Sequence, residues 1–233
     1  MIESLRKELK ELSSPEQAKA LQRFFKTGKG QYGEGDIFLG IKVPVQRATA
    51  KKYLDLNFQQ MQELLDSKIH EERLTALIIL NSRFKKAKKE PMMKRKIYEF
   101  YLENTKRINN WDLVDLSAPN IIGEFLQKED TGILRHLASS KNIWERRIAI
   151  ISTFAFIRRR NFGETLVISD LLLNDEHDLI HKAVGWMLRE IGKRNKEVLE
   201  LFLETRYKNM PRTMLRYAIE KFPEDERKKW LKK

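Results

Sequence analysis

A helical period of 3.6 residues runs through almost all of this 233-residue chain, and it limits the fold more than any other feature. Pro, Ser and Asn stand where helices should begin. Only the segment 37–43 has strand-like content, and Gly40 and Pro44 interrupt it. The pattern predicts an all-α protein with helices over 2–12, 15–26, 44–54, 58–67, 70–84, 91–104, 111–126, 130–138, 142–160, 162–173, 177–192, 195–207, 211–221 and 223–232.

A repeat is visible among these helices. A pattern of one basic residue followed three positions later by a small residue starts at Arg73, Arg146 and Lys182. These starts are separated by multiples of roughly 36 residues. Short connections and such a period are typical of stacked antiparallel helix pairs, in which the small residue lets the partner helix approach closely. We therefore predict one helical-repeat domain over 1–233, with the basic positions forming a stripe on a concave face.

The charge of the chain indicates a polyanionic partner. The 46 Lys and Arg residues outnumber the 33 Asp and Glu residues, which gives a net charge of +13. Nucleic acid, an anionic membrane surface and a solvated exterior without a partner all fit such an excess, and nucleic acid is the first candidate. The lack of cysteine excludes disulfides and thiolate sites. A charged first helix and the lack of a long apolar run predict a soluble, cytoplasmic protein that does not insert in a membrane.

One long connection, residues 27–44, contains five glycines. Glycine lets a backbone adopt unusual dihedral angles or approach a ligand closely. The segment is not a phosphate-binding P-loop, because no Gly-Lys-Ser/Thr sequence opens a helix there. A ligand-contacting loop and a plain connector both remain compatible with this composition.

The segment 110–119 contains the most unusual carboxylate of the chain. Asn110 can cap a helix that begins at Trp111, and Asp115 lies four residues later on the same helix face. Asp115 is surrounded by apolar residues in mid-helix, and Pro119 cannot donate a hydrogen bond to its carbonyl. A carboxylate beside an indole at a helix irregularity indicates a functional site. A structural salt bridge to a neighbouring repeat is the alternative.

Arginines stand at predicted helix starts, where positive charge opposes the helix dipole. Arg146 and Arg147 begin one helix, and the segment 211–217 has the same character. Phosphate binding gives a physical reason for this placement, because guanidinium and helix N–H groups can bind one anion together. His177 and His181 have the spacing of a metalloprotease helix, but no third ligand is apparent, so we expect no metal and no cofactor.

Five segments together resemble the AlkD-type DNA alkylation repair glycosylases, a family of HEAT-like helical repeats. The segments are YGEGDIFLGIKVPVQR, NNWDLVD, WERRIAI, HKAVGWMLREIGKR and MPRTMLRYAIEKFP. Their order and spacing match over essentially the whole chain. The resemblance implies an all-α, right-handed HEAT-like solenoid with a concave basic face.

The resemblance also implies a site. Two tryptophans and an aspartate form the catalytic cleft of that family, and by motif they are Trp111, Trp186 and Asp115. An arginine that contacts the DNA backbone near the lesion falls on Arg147, with Arg146 as the alternative. An aromatic residue near the end of the second helix lines the cleft, and Phe25 and Tyr32 both match. The other basic positions of the DNA-binding surface are Arg189, Arg47, Arg212 and Arg216.

The implied activity is hydrolysis of the glycosidic bond of N3- or N7-alkylated purines in double-stranded DNA, by a monomer. Asp115 would stabilise the positive charge that develops on the sugar, and the two indoles would exclude water. The first alternative is a protein of the same fold that binds damaged, bent or branched DNA without catalysis. The second is a helical-repeat scaffold that binds acidic proteins.

Overall fold

The computed structural model describes residues 1–232, which consist of helices and their connections, with one isolated parallel bridge between Ile37 and Ile69. The all-α prediction is therefore confirmed. The chain forms two compact units, a first from Met1 to Ser117 and a second that begins at Ala118. The single domain over 1–233 stays a prediction. None of the described helices combines the length and the apolar character needed to cross a lipid bilayer.

Local capping sets the helix starts of the first unit. The Ser14 side chain accepts a hydrogen bond from the Gln17 amide at 3.4 Å, with Pro15 as the first helical residue. Asn57 and Gln60 form a reciprocal capping box at 2.9 and 3.0 Å. The helices are α1 (Ile2–Glu11), α2 (Pro15–Phe24), α3 (Val43–Ala50), α4 (Phe58–Leu65), α5 (His70–Lys86), α6 (Pro91–Glu103) and α7 (Trp111–Ser117).

Two predicted helices are wrong in their continuity. The helix predicted over 111–126 ends at Ser117 and gives way to a π-helical turn, Pro119–Gly123, because Pro119 has no N–H to continue the α-helical bonds. The helix predicted over 142–160 breaks at Thr153, whose hydroxyl donates to the Ile150 carbonyl at 2.7 Å. The second unit contains α8 (Gly132–Ala138), α9 (Ile143–Ser152), α10 (Phe154–Ile157), α11 (Gly163–Leu171), α12 (Asp178–Gly192), α13 (Lys196–Glu204), α14 (Arg212–Ala218) and α15 (Glu224–Leu231).

Helix α5 is the centre of the first unit. Every residue from His70 to Leu80 is buried, and α3, α4, α6 and α7 pack against this helix. The first four of these residues are His, Glu, Glu and Arg, which need internal partners when water is excluded. The start of α5 is therefore a place where buried charges must be paired within the protein.

Glu71 fixes the second half of the glycine-rich loop to α5. Its carboxylate accepts hydrogen bonds from the amides of Leu39, Gly40 and Ile41 at 2.9, 2.8 and 3.2 Å. Gly40 has φ +84°, and a Cβ at this position would lie 2.2 Å from the Ser14 carbonyl oxygen, so only glycine fits. The strand-like segment 37–43 thus becomes an anchored loop rather than a strand.

Helix α12 is the centre of the second unit and packs against α9, α11, α13 and α14. It lies close to α14 at Gly185, where a Cβ would be 2.5 Å from both the Met214 carbonyl oxygen and the Tyr217 Cβ. The predicted use of the small repeat residue is confirmed at this position. Any side chain larger than hydrogen would push α14 away from α12.

Candidate functional site

Trp111 and Asp115 lie one turn apart on α7, and both residues are partly exposed. The Trp111 amide donates to Asn110 Oδ1 at 2.8 Å, and the Asn110 carbonyl accepts a backbone hydrogen bond from the Val114 amide at 3.2 Å. Burial raises the pKa of Tyr101, and the negative charge of Asp115 raises it further. The charge of Asp115 therefore acts on the buried Tyr101 hydroxyl, and residue Asp115 itself is partly exposed.

An aromatic stack lies beside Trp111. Phe25 is buried and stacks on Trp111 and on Phe38, with ring centroids 5.1 and 5.0 Å apart. Phe24 meets Trp111 edge-on at 5.8 Å and is 63% exposed. The Tyr32 hydroxyl donates to the Phe24 carbonyl at 3.4 Å, and Tyr32 is partly exposed. The most exposed ring in contact with Trp111 is thus that of Phe24, which neither sequence alternative named.

A buried group of charges lies directly behind this stack. His70 Nδ1 is 3.1 Å from Asp36 Oδ2, and His70 Nε2 is 2.8 Å from Asp112 Oδ2. Arg73 and Asn110 also donate to Asp36, at 2.6 and 3.3 Å. Burial alone would lower the pKa of His70, but the charge of Asp112 and the hydrogen bonds to both carboxylates outweigh it and raise the pKa to about 9.

The basic residue of the repeat has an internal role. Arg73 is 3% exposed and donates to the carbonyl of Ser67, six residues earlier, at 2.9 Å. Arg146 makes the same contact with Ser140 at 3.0 Å. The Ser67 and Ser140 hydroxyls each accept a hydrogen bond from the amide two residues later, both at 3.0 Å. The predicted solvent-facing basic stripe is therefore wrong at Arg73, because the arginine holds the turn that precedes its own helix.

Two arginines proposed for DNA contact have protein partners. Arg146 pairs with Asp175 at 2.6 Å. Arg147 is 5% exposed and donates to the Leu179 carbonyl at 2.6 Å. The DNA contact that the resemblance implies for them stays a prediction, and for Arg147 it would require the guanidinium to leave this carbonyl.

The remaining basic candidates differ in how accessible they are. Arg189 lies one turn after Trp186 on α12 and pairs with Glu220. Trp186 itself is partly exposed, 6.1 Å from the Phe154 ring. The exposed candidates are Arg47 on α3 and Arg212 and Arg216 on α14.

The described residues contain no group of three or more His, Asp and Glu side chains placed to hold a metal ion. His177 accepts a hydrogen bond from the Leu179 amide at 3.1 Å through Nδ1, and His181 Nε2 contacts the Asp175 carbonyl. Each of the two histidine rings therefore contacts a backbone group near the start of α12.

Comparison with known proteins finds one matching family model and several solved structures with a similar fold. The family model described as "DNA alkylation repair enzyme" matches residues 5–222. A structure titled "Predicted DNA alkylation repair enzyme from Enterococcus faecalis" has a TM-score of 0.68 at 17% identity, over 91% of this chain and 97% of that one. AlkD2 from Streptococcus mutans has a TM-score of 0.57 at 17% identity, over 89% and 97%. The smu.31 protein from Streptococcus mutans UA159 has a TM-score of 0.57 at 17% identity, over 95% and 98%. No curated protein matches the chain. At this identity the likeness is one of fold, and it confirms the predicted helical-repeat class.

Proposed function

The chain belongs to the DNA alkylation repair enzyme family, and from that premise we propose that it is a DNA glycosylase. Its substrates are N3- and N7-alkylated purines in duplex DNA, and it acts as a monomer. The observation that carries the proposal is Asp115 on α7, a partly exposed residue one turn from Trp111, whose ring contacts those of Phe24 and Phe25.

The chemistry needs one well-placed negative charge. Alkylation at N3 or N7 gives the purine a positive charge, so the base leaves with the electron pair of the glycosidic bond without a general acid. The positive charge then passes to the sugar as an oxocarbenium-like transition state. Asp115 stabilises this charge electrostatically and orients the water that adds to the anomeric carbon, and this water then releases one proton to the solvent. Atoms and charge balance without a cofactor.

The aromatic side chains supply the environment of that charge. An indole presents a negative face to a cation and an apolar surface to deoxyribose. Trp111 and its stack exclude water from one side of Asp115, which strengthens the field of the carboxylate. The resemblance implies the same water-excluding role for Trp186 on α12, and this role stays a prediction.

DNA is held by basic groups that release counterions from phosphates. The exposed side chains of Arg47, Arg212 and Arg216 are the first candidates, because they reach solvent without breaking a buried contact. Arg189, Arg146 and Arg147 are second candidates, because each of them already bonds to a protein partner.

The test is release of 7-methylguanine from methylated duplex DNA, measured under single-turnover conditions with wild type, Asp115→Asn and Asp55→Asn. Asp55 is exposed and supplies a matched Asp-to-Asn control. We expect Asp115→Asn to slow release by roughly 10²–10³-fold, the usual effect of removing one preorganised group. Its affinity for DNA should not weaken, because the change removes a negative charge.

Full activity of Asp115→Asn would contradict the assignment of the carboxylate. If wild type releases no alkylated base but prefers junctions or bent DNA over plain duplex, the protein is a non-catalytic DNA binder instead. Light scattering with and without duplex checks the proposed one-to-one complex.

A further inference from the structure

Asp36 is the hub of the buried charges behind Trp111. It accepts hydrogen bonds from three residues of the first unit: His70 Nδ1 and Arg73 on α5, and Asn110 at the start of α7, at 3.1, 2.6 and 3.3 Å. All four residues are at most 7% exposed. The last residues of the glycine-rich loop are thus joined to two helices through one carboxylate.

His70 extends this hub to α7 by a second contact. Its Nε2 lies 2.8 Å from Asp112 Oδ2, while Nδ1 faces Asp36. A carboxylate accepts hydrogen bonds and has none to donate, so both ring nitrogens must donate and the ring is an imidazolium. The buried charges of His70 and Arg73 then balance those of Asp36 and Asp112.

We infer that His70 is a positioning residue for the glycosylase site, an inference that rests on the proposed function. The imidazolium bonds to Asp112, the residue that follows Trp111. The Trp111 amide bonds to Asn110, which is itself bonded to Asp36. The first turn of α7 is therefore held on both sides of Trp111, and Asp115 follows one turn later.

The aromatic rings give a second route from His70 to Trp111. His70 stacks on Phe38 with centroids 4.5 Å apart, and it contacts Phe25 at 5.2 Å. Phe25 in turn stacks on Trp111 at 5.1 Å. A change in the position of the imidazole is thus transmitted to the indole by direct packing as well as by hydrogen bonds.

The packing of the repeat does not itself require histidine. In α5, α9 and α12 the fourth helical residue contacts the carbonyl six residues before it: Arg73, Arg146 and His181. The first residue of the same helices varies, as His70 in α5, Ile143 in α9 and Asp178 in α12. Histidine at this position is found in the helix that lies behind Trp111, which points to a local role.

The test uses the full chain labelled with 5-fluorotryptophan, with the Trp111 fluorine resonance assigned through Trp111→Phe. His70→Gln and Asp112→Asn are compared with Glu72→Gln, a neighbour on α5 that is also buried and bonds to Arg6 Nε at 3.3 Å. Asp112 is partly exposed, so its variant should fold even if His70→Gln does not. Circular dichroism at the temperature of the measurement establishes that each variant is folded.

We expect His70→Gln and Asp112→Asn to shift and broaden the Trp111 resonance, and to slow single-turnover excision by about 10–100-fold. Glu72→Gln should lower stability but leave the Trp111 resonance and the excision rate unchanged. An unaltered Trp111 resonance in folded His70→Gln and Asp112→Asn would overturn the inference, as would an equal shift in Glu72→Gln. If wild type proves inactive, the proposed function fails, and the fluorine measurement still decides the role of His70.

Discussion

The contact between α12 and α14 at Gly185 allows a quantitative prediction. An alanine Cβ at residue 185 would stand 2.5 Å from the Met214 carbonyl oxygen and from the Tyr217 Cβ, whereas ordinary contact begins at 3.4 Å. The two helices must therefore separate by about 0.9 Å, because neither contacted atom can rotate away. Overpacking typically costs about 1–3 kcal/mol, and the upper end applies here because both contacts are shorter than 3.0 Å, while alanine regains about 1 kcal/mol of helix propensity over glycine. Gly185→Ala should lower the free energy of unfolding by about 2 kcal/mol.

Gly192→Ala is the matched control on the same helix. Its Cβ would also lie 2.5 Å from its nearest neighbour, but that neighbour is the Leu199 Cδ2 methyl, and the other Leu199 atoms stand at 3.6 Å. A methyl group moves by a change of rotamer, so the steric cost and the gain in propensity should nearly cancel.

Urea denaturation followed by circular dichroism measures both variants. Equal destabilisation of the two, or a neutral Gly185→Ala, would refute the argument that backbone contact makes this glycine necessary. Because Trp186 follows Gly185, the same displacement should slow base release in Gly185→Ala and leave Gly192→Ala at the wild-type rate.

Three further predictions concern the first unit and the DNA contacts. Phe25→Ala should lower the free energy of unfolding by about 3–5 kcal/mol, while Phe24→Ala, at a 63% exposed position, should leave stability nearly unchanged and slow base release. Thermal melts beside single-turnover assays separate the two effects. A large loss of stability in Phe24→Ala would contradict the exposed placement. The pKa of His70 is raised from 6.5 to about 9, so the stability that its protonation contributes is fully present below about pH 6.5 and is lost as the pH rises through about 9. The free energy of unfolding of wild type should therefore fall across that window, and urea titrations of His70→Gln should show a flatter profile. Arg216→Ala should reduce the slope of log DNA affinity against log salt concentration by about 0.9. Arg146→Ala leaves Asp175 without its guanidinium, so it should lower stability by roughly 1–3 kcal/mol and leave that slope unchanged. An equal change of slope in both variants would show that Arg146 reaches phosphate.

Local signals predicted the helices well. Proline at a helix start and asparagine or serine at a cap act within one turn, so α2, α4 and α9 begin within a residue or so of their predicted starts. The break at Thr153 was missed because a hydroxyl that bonds back to a carbonyl three residues earlier leaves the apolar period unchanged. Pro119 signalled an irregularity, but the sequence did not show that a π-helical turn would follow.

The site was predictable only where its residues are close in sequence. Trp111 and Asp115 share a helix face, and this relation follows from their spacing alone. The contacts of His70 with Asp36 and Asp112 join positions 34 and 42 residues apart, which no period relates. Phe24 could have been found, because two adjacent phenylalanines at a helix end point about 100° apart and cannot both face the core.

The sequence predicts the repeat at Arg73, Arg146 and Lys182, but in α12 the residue that contacts the carbonyl six positions earlier is His181, and at Arg73 the basic residue faces inward. A basic residue at a recurrent helix start looks the same in sequence whether it faces a phosphate or a carbonyl. The Arg73 guanidinium faces inward and donates to the Ser67 carbonyl and to Asp36, and both partners lie outside the helix that contains Arg73. Arg73 and Asp36 form a buried pair of opposite charges, so together they leave the net charge of +13 unchanged.

The hydrogen bonds of Glu71 also distinguish two parts of the glycine-rich loop, which should tolerate changes of length differently. Residues 39–41 are tied to its carboxylate, whereas the amides of Gly28 and Gly30 bond to the nearby exposed side chains of Gln31 and Glu34. Insertions and deletions should therefore be tolerated between Gly28 and Gln31, and should unfold the start of α5 when they fall downstream of Asp36. The stretch 28–31 can be treated as an exchangeable cassette, whereas Gly33 packs against the Phe25 carbonyl and must stay in place with the anchored half.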